Sequence, residues 1–174
     1  LIPNMAMAFW AVLNPEIFSQ FGYVVAKPTV IGFLLGLFLH ANIVHFFGNM
    51  LFLAAVGPAV EFAARAWRFV TVFFVGGWIG ILVHSVLVGP YQSTFPLIGA
   101  SGCIASCAAY YTVRYSSLRV AILPNVGVPV LGISLVWLLL QAVGAIVTLG
   151  PVHGGQAYFV HLGGFATGLL LSVV

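Results

Sequence analysis

Residues 67–88 read WRFVTVFFVGGWIGILVHSVLV, a run whose only basic residue is Arg68 and whose only histidine is His84. A helix needs about 20 mostly apolar residues to cross the hydrocarbon core of a bilayer, so this stretch reads as a membrane span. The rest of the chain is written in the same alphabet. Of its 174 residues 63% are hydrophobic and only 4% are charged, with a mean hydropathy of +1.20. Soluble domains carry about 25% charged residues, so too little polar surface exists here to coat a water-facing globule. A soluble enzyme and a disordered tail are excluded. Five basic residues against two acidic ones give a net charge of +3, too sparse for a phosphate-binding patch, so nucleic acid is excluded as a partner. The implied surroundings are the lipid bilayer.

Working outward from residues 67–88, the chain divides into an all-α, polytopic helix bundle of six spans, one domain over residues 1–174. Leu1–Leu13 is apolar but too short to span, and reads as the trimmed end of a first helix. Residues 14–38 form a long, apolar connecting segment with Asn14-Pro15-Glu16 and Lys27-Pro28 inside it. Span two runs from about His40 to Phe62, span three from Trp67 to Val88, and span four from Leu97 to about Val113. Span five follows at about Val128–Leu149. Ala157–Val174 starts the last span, also trimmed. Arg65 and Arg68 lie between spans two and three, and Arg114 and Arg119 between spans four and five. An excess of Lys and Arg marks the cytoplasmic side, so both loops are placed inside, and a compact six-span core of this kind suggests a bacterial inner membrane. Glu61, four residues before Arg65, is spaced to pair with it on one helical face.

Polar groups in spanning helices are costly and mark function. Three clusters stand out: His40-Ala-Asn42-Ile-Val-His45-Phe-Phe-Gly48-Asn49, Gly99-Ala-Ser101-Gly102, and His161-Leu-Gly-Gly164-Phe-Ala-Thr-Gly168. They open spans two, four and six, which all run from outside to inside, so the three share one depth below the outer surface. A serine hydroxyl is a poor nucleophile until a base takes its proton, and histidine is the side chain that titrates near neutral pH. Ser101 and His161 can therefore act together if spans four and six pack closely. Small residues permit that approach: Gly164 and Gly168 on span six, with Ser101, Ala105 and Ala108 as the matching stripe on span four. Glu16 and Glu61 are the only carboxylates. A Ser-His-Asp triad and a two-carboxylate mechanism are excluded, which leaves a dyad whose imidazole is oriented by packing and backbone. His45 and Asn49 share a helix face, Gly48 allows close approach, and both side chains can donate to an oxyanion beside the Ser101 N–H. His40, nearer the surface, is a weaker candidate for the same task.

Each piece alone has a plainer reading. A Gly-x-Ser-Gly in an apolar helix packs helices, a Gly-xxx-Gly step does the same, and Cys103 and Cys107, one turn apart, are small packing residues rather than a disulfide framework. His84 and His153 are isolated histidines outside the site. It is the conjunction of the three clusters that carries the functional reading. Two other classes compete with it. A metal- or haem-binding membrane protein would use the histidines, but His40 and His45 are about 140° apart around a helix and could share an ion only if the helix begins between them. A non-catalytic protein that binds client helices would keep the fold and leave Ser101 unreactive toward fluorophosphonates.

In order and spacing, His40-x4-His45-x3-Asn49, Glu61 with its arginines, Gly99-x-Ser101-Gly102 and His161-x2-Gly164-x3-Gly168 resemble the rhomboid family of intramembrane serine proteases, from roughly Phe21 onward. The resemblance implies a six-span rhomboid bundle with Ser101 as nucleophile and His161 as general base. His45 and Asn49 would be the oxyanion-side groups, and His40 would help shape a water-filled cavity open to the extracytoplasmic side. It also implies transmembrane proteins as substrates, and no metal or cofactor. Two departures are visible. Residues 29–37 read TVIGFLLGL where many relatives carry a Trp-Arg pair. Ala105 stands where some relatives place an aromatic that stacks on the histidine, so another residue is expected to hold the ring.

Overall fold

A computed structural model of the chain describes residues 14, 16–88, 95–147 and 157–173. Leu1–Leu13, most of the loop opening at Gly89-Pro90, and Gly150–Gly155 with His153 lie outside the described residues, and with them the expected first span. Hydrophobic runs punctuated by glycine and proline give seven α-helices among the described residues: α1 (Glu16–Phe21), α2 (Val30–Leu35), α3 (Ile43–Ala64), α4 (Ala66–Val88), α5 (Ser101–Arg114), α6 (Val130–Val147) and α7 (Tyr158–Ser172). Of these, α3, α4 and α6 are long and apolar enough to cross a membrane. The expected spans four and six are shorter, at 14 and 15 residues.

Both begin below the end of α4. Gly80 of α4 lies level with Val160 and Gly164 of α7. From there α4 continues eight residues to Val88, about 12 Å at ~1.5 Å per residue. The two short helices thus start well below the end of their neighbour, and their first residues are recessed.

Three helices form the centre, and small residues let their backbones meet. A Cβ at Gly164 would strike the Gly102 carbonyl, one at Gly168 the Ser106 carbonyl, and one at Gly76 the Ser106 side chain. Gly77 faces Cys103 in the same way. Residues 102–110 of α5 are all buried. The closest backbone contacts of α5 with α7 are thus at Gly102 and Ser106, beside the expected Ser101 and Ala105, which meet His161 and Phe165 of α7. Ala105 and Ala109 face Phe165, with Trp137 and Leu138 packed against them. Cys103 and Cys107 are free and fully buried.

Helix α6 lies at the periphery. Leu135, Val136, Leu139, Leu140 and Val143 are exposed, as a lipid-facing side requires. Its inner side is pinned near one end by a hydroxyl pair. Thr112 donates its only proton to the Ala108 carbonyl at 2.7 Å, so the 2.6 Å contact between Thr112 and Ser134 is donated by Ser134.

Three local features differ from the sequence expectation. The connecting segment holds α1 and α2, with Thr29 capping α2 by accepting from the Gly32 N–H at 3.0 Å. Val30, Ile31, Leu34 and Leu35 of α2 are exposed, so its outer side is apolar without a Trp-Arg pair. Span five, expected from about Val128, starts at Val130, and residues 119–129 before it form an antiparallel hairpin, β1 (Arg119–Leu123) and β2 (Val126–Pro129). Its register pairs Arg119 with Pro129 and Val120 with Val128, and Asn125 takes a positive φ of 67° at the turn. Glu61 and Arg65 do not form an ion pair. Arg65 leaves the helix as the C-cap of α3 at φ 68°, which destroys the i, i+4 geometry.

Candidate active site

Ser101 is the first residue of α5. The four leading N–H groups of a helix have no partner within it, and Ala100, at the N-cap, supplies no side-chain bond to them. The backbone around Ser101 is thus an anion-receptive end, with the helix dipole adding to it. Gly99 makes the turn into the helix at φ +115° and donates its N–H to the Gly36 carbonyl at 2.9 Å. A Cβ at Gly99 would sit 2.7 Å from Cε1 of His45. The role of Gly99 is therefore close approach of the loop to an imidazole, rather than helix packing.

His161, in the first turn of α7, places Nε2 2.7 Å from the Ser101 Oγ. Its other nitrogen, Nδ1, lies 2.7 Å from Oε1 of Gln141 on α6. Trp137, one turn before Gln141, brings its ring centroid to 6.2 Å from the imidazole and to 5.7 Å from Phe165. Tyr158 meets the imidazole edge-on at 6.5 Å from its own helix. The ring is thus held by side chains of α6 and α7. This corrects the expectation of packing and backbone alone, and it answers the methyl group at Ala105. Gln141 escaped the sequence reading, although a signal existed. Ser134, Trp137 and Gln141 are the only residues with polar side-chain atoms in α6, and an amide in the middle of a span needs a partner.

The start of α3 supplies the facing wall. Asn42 caps the helix, its Oδ1 accepting from the His45 N–H at 2.9 Å. Nδ1 of His45 accepts from the Ala41 N–H at 3.4 Å. A neutral imidazole carries one proton, so that proton sits on Nε2 and His45 can donate with it. Asn49, two turns beyond Asn42, is buried, and its Nδ2 has no partner among the described residues. Members of all three clusters line one cavity of about 870 Å³, with His45, Asn49, Ser101 and His161 around it and Trp137 and Gln141 beside them. Gly48 also lines it, and a Cβ there would meet nothing within 4 Å. It leaves the wall open rather than admitting a packed helix.

His40 stands elsewhere than expected. It precedes the Asn42 cap in a segment that runs into the core, fully buried, with its ring 5.2 Å from that of His45 and 5.4 Å from Phe46. It backs His45 and is not among the cavity-lining residues. The helix does begin between His40 and His45. No group of three or more His, Cys, Asp or Glu that could hold a metal ion occurs among the described residues. His84, on α4, packs against Phe159.

A serine hydroxyl on an imidazole nitrogen, beside free N–H donors, thus stands in one cavity within an apolar bundle. The family comparison agrees with the fold. The rhomboid domain matches residues 27–174, and the chain belongs to the rhomboid family, as an integral membrane protein. It is similar to RHOMBOID-like protein 7 of Arabidopsis thaliana, 29% identical over 160 residues. That match covers 87% of this chain and 44% of the relative, so the chain spans less than half the length of that protein.

Proposed function

We propose that the chain is an intramembrane serine endopeptidase that hydrolyses peptide bonds in or near the transmembrane helices of other membrane proteins. The observation that carries this reading is the 2.7 Å contact between the Ser101 Oγ and His161 Nε2, made inside a cavity that also presents His45 and Asn49. Ser101 attacks the scissile carbonyl carbon while its proton passes to His161 Nε2. The carbonyl oxygen becomes an oxyanion, received by the Ser101 N–H, His45 Nε2–H and Asn49 Nδ2. His161 then protonates the leaving amine nitrogen as the C–N bond breaks. Water, deprotonated by the same nitrogen, releases the acyl group from Ser101.

Alternation of the helices puts Arg65, Arg68, Arg114 and Arg119 at the end opposite the cavity. Excess basic charge faces the cytoplasm, so the cavity opens on the extracytoplasmic side in this reading.

The test is cleavage of a model spanning helix by the detergent-solubilised protein. Ser101→Ala and His161→Ala are each expected to abolish cleavage and fluorophosphonate labelling of residue 101 while leaving the fold intact. Full activity in Ser101→Ala overturns the proposal, and a folded wild type that neither cleaves nor labels turns the reading to a client-binding member of the family.

A further inference from the structure

We infer, on the hydrolytic reading of the site, that Gln141 is a positioning residue that fixes the tautomer and orientation of His161. An amide oxygen only accepts hydrogen bonds. With Gln141 Oε1 2.7 Å from Nδ1, that nitrogen carries the single proton of the neutral ring. The lone pair is then on Nε2, facing the Ser101 hydroxyl at 2.7 Å, which is the state a base must hold before it can take the serine proton. The other tautomer would aim an N–H at the serine oxygen and, unless the amide turned over to offer its NH2, set two lone pairs against each other at Gln141.

The amide does this without charge. When the proton moves from the Ser101 Oγ to Nε2, the ring becomes cationic and the Nδ1–H bond to Gln141 becomes charge-assisted and stronger. Gln141 neither gains nor loses a proton, and the proton on Nε2 leaves with the amine. The task given to a carboxylate in a triad falls here to a neutral acceptor, in a chain whose two carboxylates, Glu16 and Glu61, are both exposed.

Placement on α6 makes the hold specific. Trp137 and Gln141 are four residues apart, so one helix face offers the imidazole an indole and an acceptor together. Gln141 itself is buried, at 9% exposure. Asparagine at this position would fall short of Nδ1 by about one methylene, whereas methionine matches the length and removes the acceptor.

The experiment uses the full chain in detergent with ¹⁵N-labelled histidine, the His161 signals being assigned by their loss in His161→Ala. The wild type is expected to show the Nδ1–H tautomer. Gln141→Met is expected to lose it, with kcat falling about 10-fold at an unchanged KM, the size of one hydrogen bond. Gln141→Glu keeps an acceptor and is expected to restore the tautomer and most of kcat. An Nε2–H tautomer in the wild type, or a Gln141→Met protein with both wild-type tautomer and wild-type kcat, overturns the inference. A Gln141-dependent tautomer in a wild type that cleaves nothing supports the hold on the ring and overturns the hydrolytic reading instead.

Discussion

Asn49 and His45 reach the cavity from the same helix, but different local bonds aim them. His45 is oriented by backbone, through the Asn42 cap and the Ala41 N–H, whereas Asn49 Nδ2 is buried without a partner among the described residues. A buried donor left free is costly, and a developing oxyanion is the acceptor that would repay it. Removing one such donor lowers the rate by ~100- to 1,000-fold. Asn49→Ala and His45→Ala are each expected to fall in that range in kcat, with KM little changed, in steady-state cleavage of a soluble or spanning peptide. These two residues, with Ser101 and His161, were legible because each is polar in an apolar run and each opens a span. Gln141 was less legible, because it belongs to none of the three clusters and opens no span, and only the approach of α6 to α7 gives it a partner. The burial of His40 was hidden for a related reason: its depth depends on the helix starting at Ile43 rather than at His40.

The crossing of α5 and α7 is the element on which the site geometry rests. Gly164 and Gly168 bring α7 against the Gly102 and Ser106 carbonyls, and Ser101 and His161 lie one residue and three residues before these contacts in their own helices. Gly168→Leu is expected to cost about 3 kcal/mol of stability, at the upper end for overpacking, and to abolish cleavage by separating the hydroxyl from the imidazole. Gly48→Ala, placed in open space inside α3, is expected to stabilise by about 0.5–1 kcal/mol, the helix preference of alanine over glycine. Unfolding in mixed detergent micelles compares the two. The long helices could be read from hydropathy alone, α3, α4 and α6 matching their expected spans within a few residues, whereas α1 and α2 could not. The 119–129 hairpin could not. A short apolar run fits strand or helix equally well by periodicity, and the deciding signal was the Pro124-Asn125 turn, with Asn125 at φ 67°.

At the scale of the whole molecule, the charge distribution and the recess set how the protein meets its surroundings. Cys103 and Cys107 are fully buried, so an introduced surface cysteine can be labelled against a silent background. Arg119→Cys is expected to react with an impermeant maleimide only from the cytoplasmic side of sealed vesicles, and Phe95→Cys, exposed near the cavity, only from the opposite side. The reverse pattern overturns the orientation. The recess has a further consequence. From the level of Val88 down to that of Gly80 and Val160 is about 12 Å, close to four residues of extended chain at ~3.3 Å each. On the hydrolytic reading, a polypeptide entering from that rim would need at least that much slack beyond its last folded turn, and the depth of the well would sort visitors by local looseness before any side chain is read.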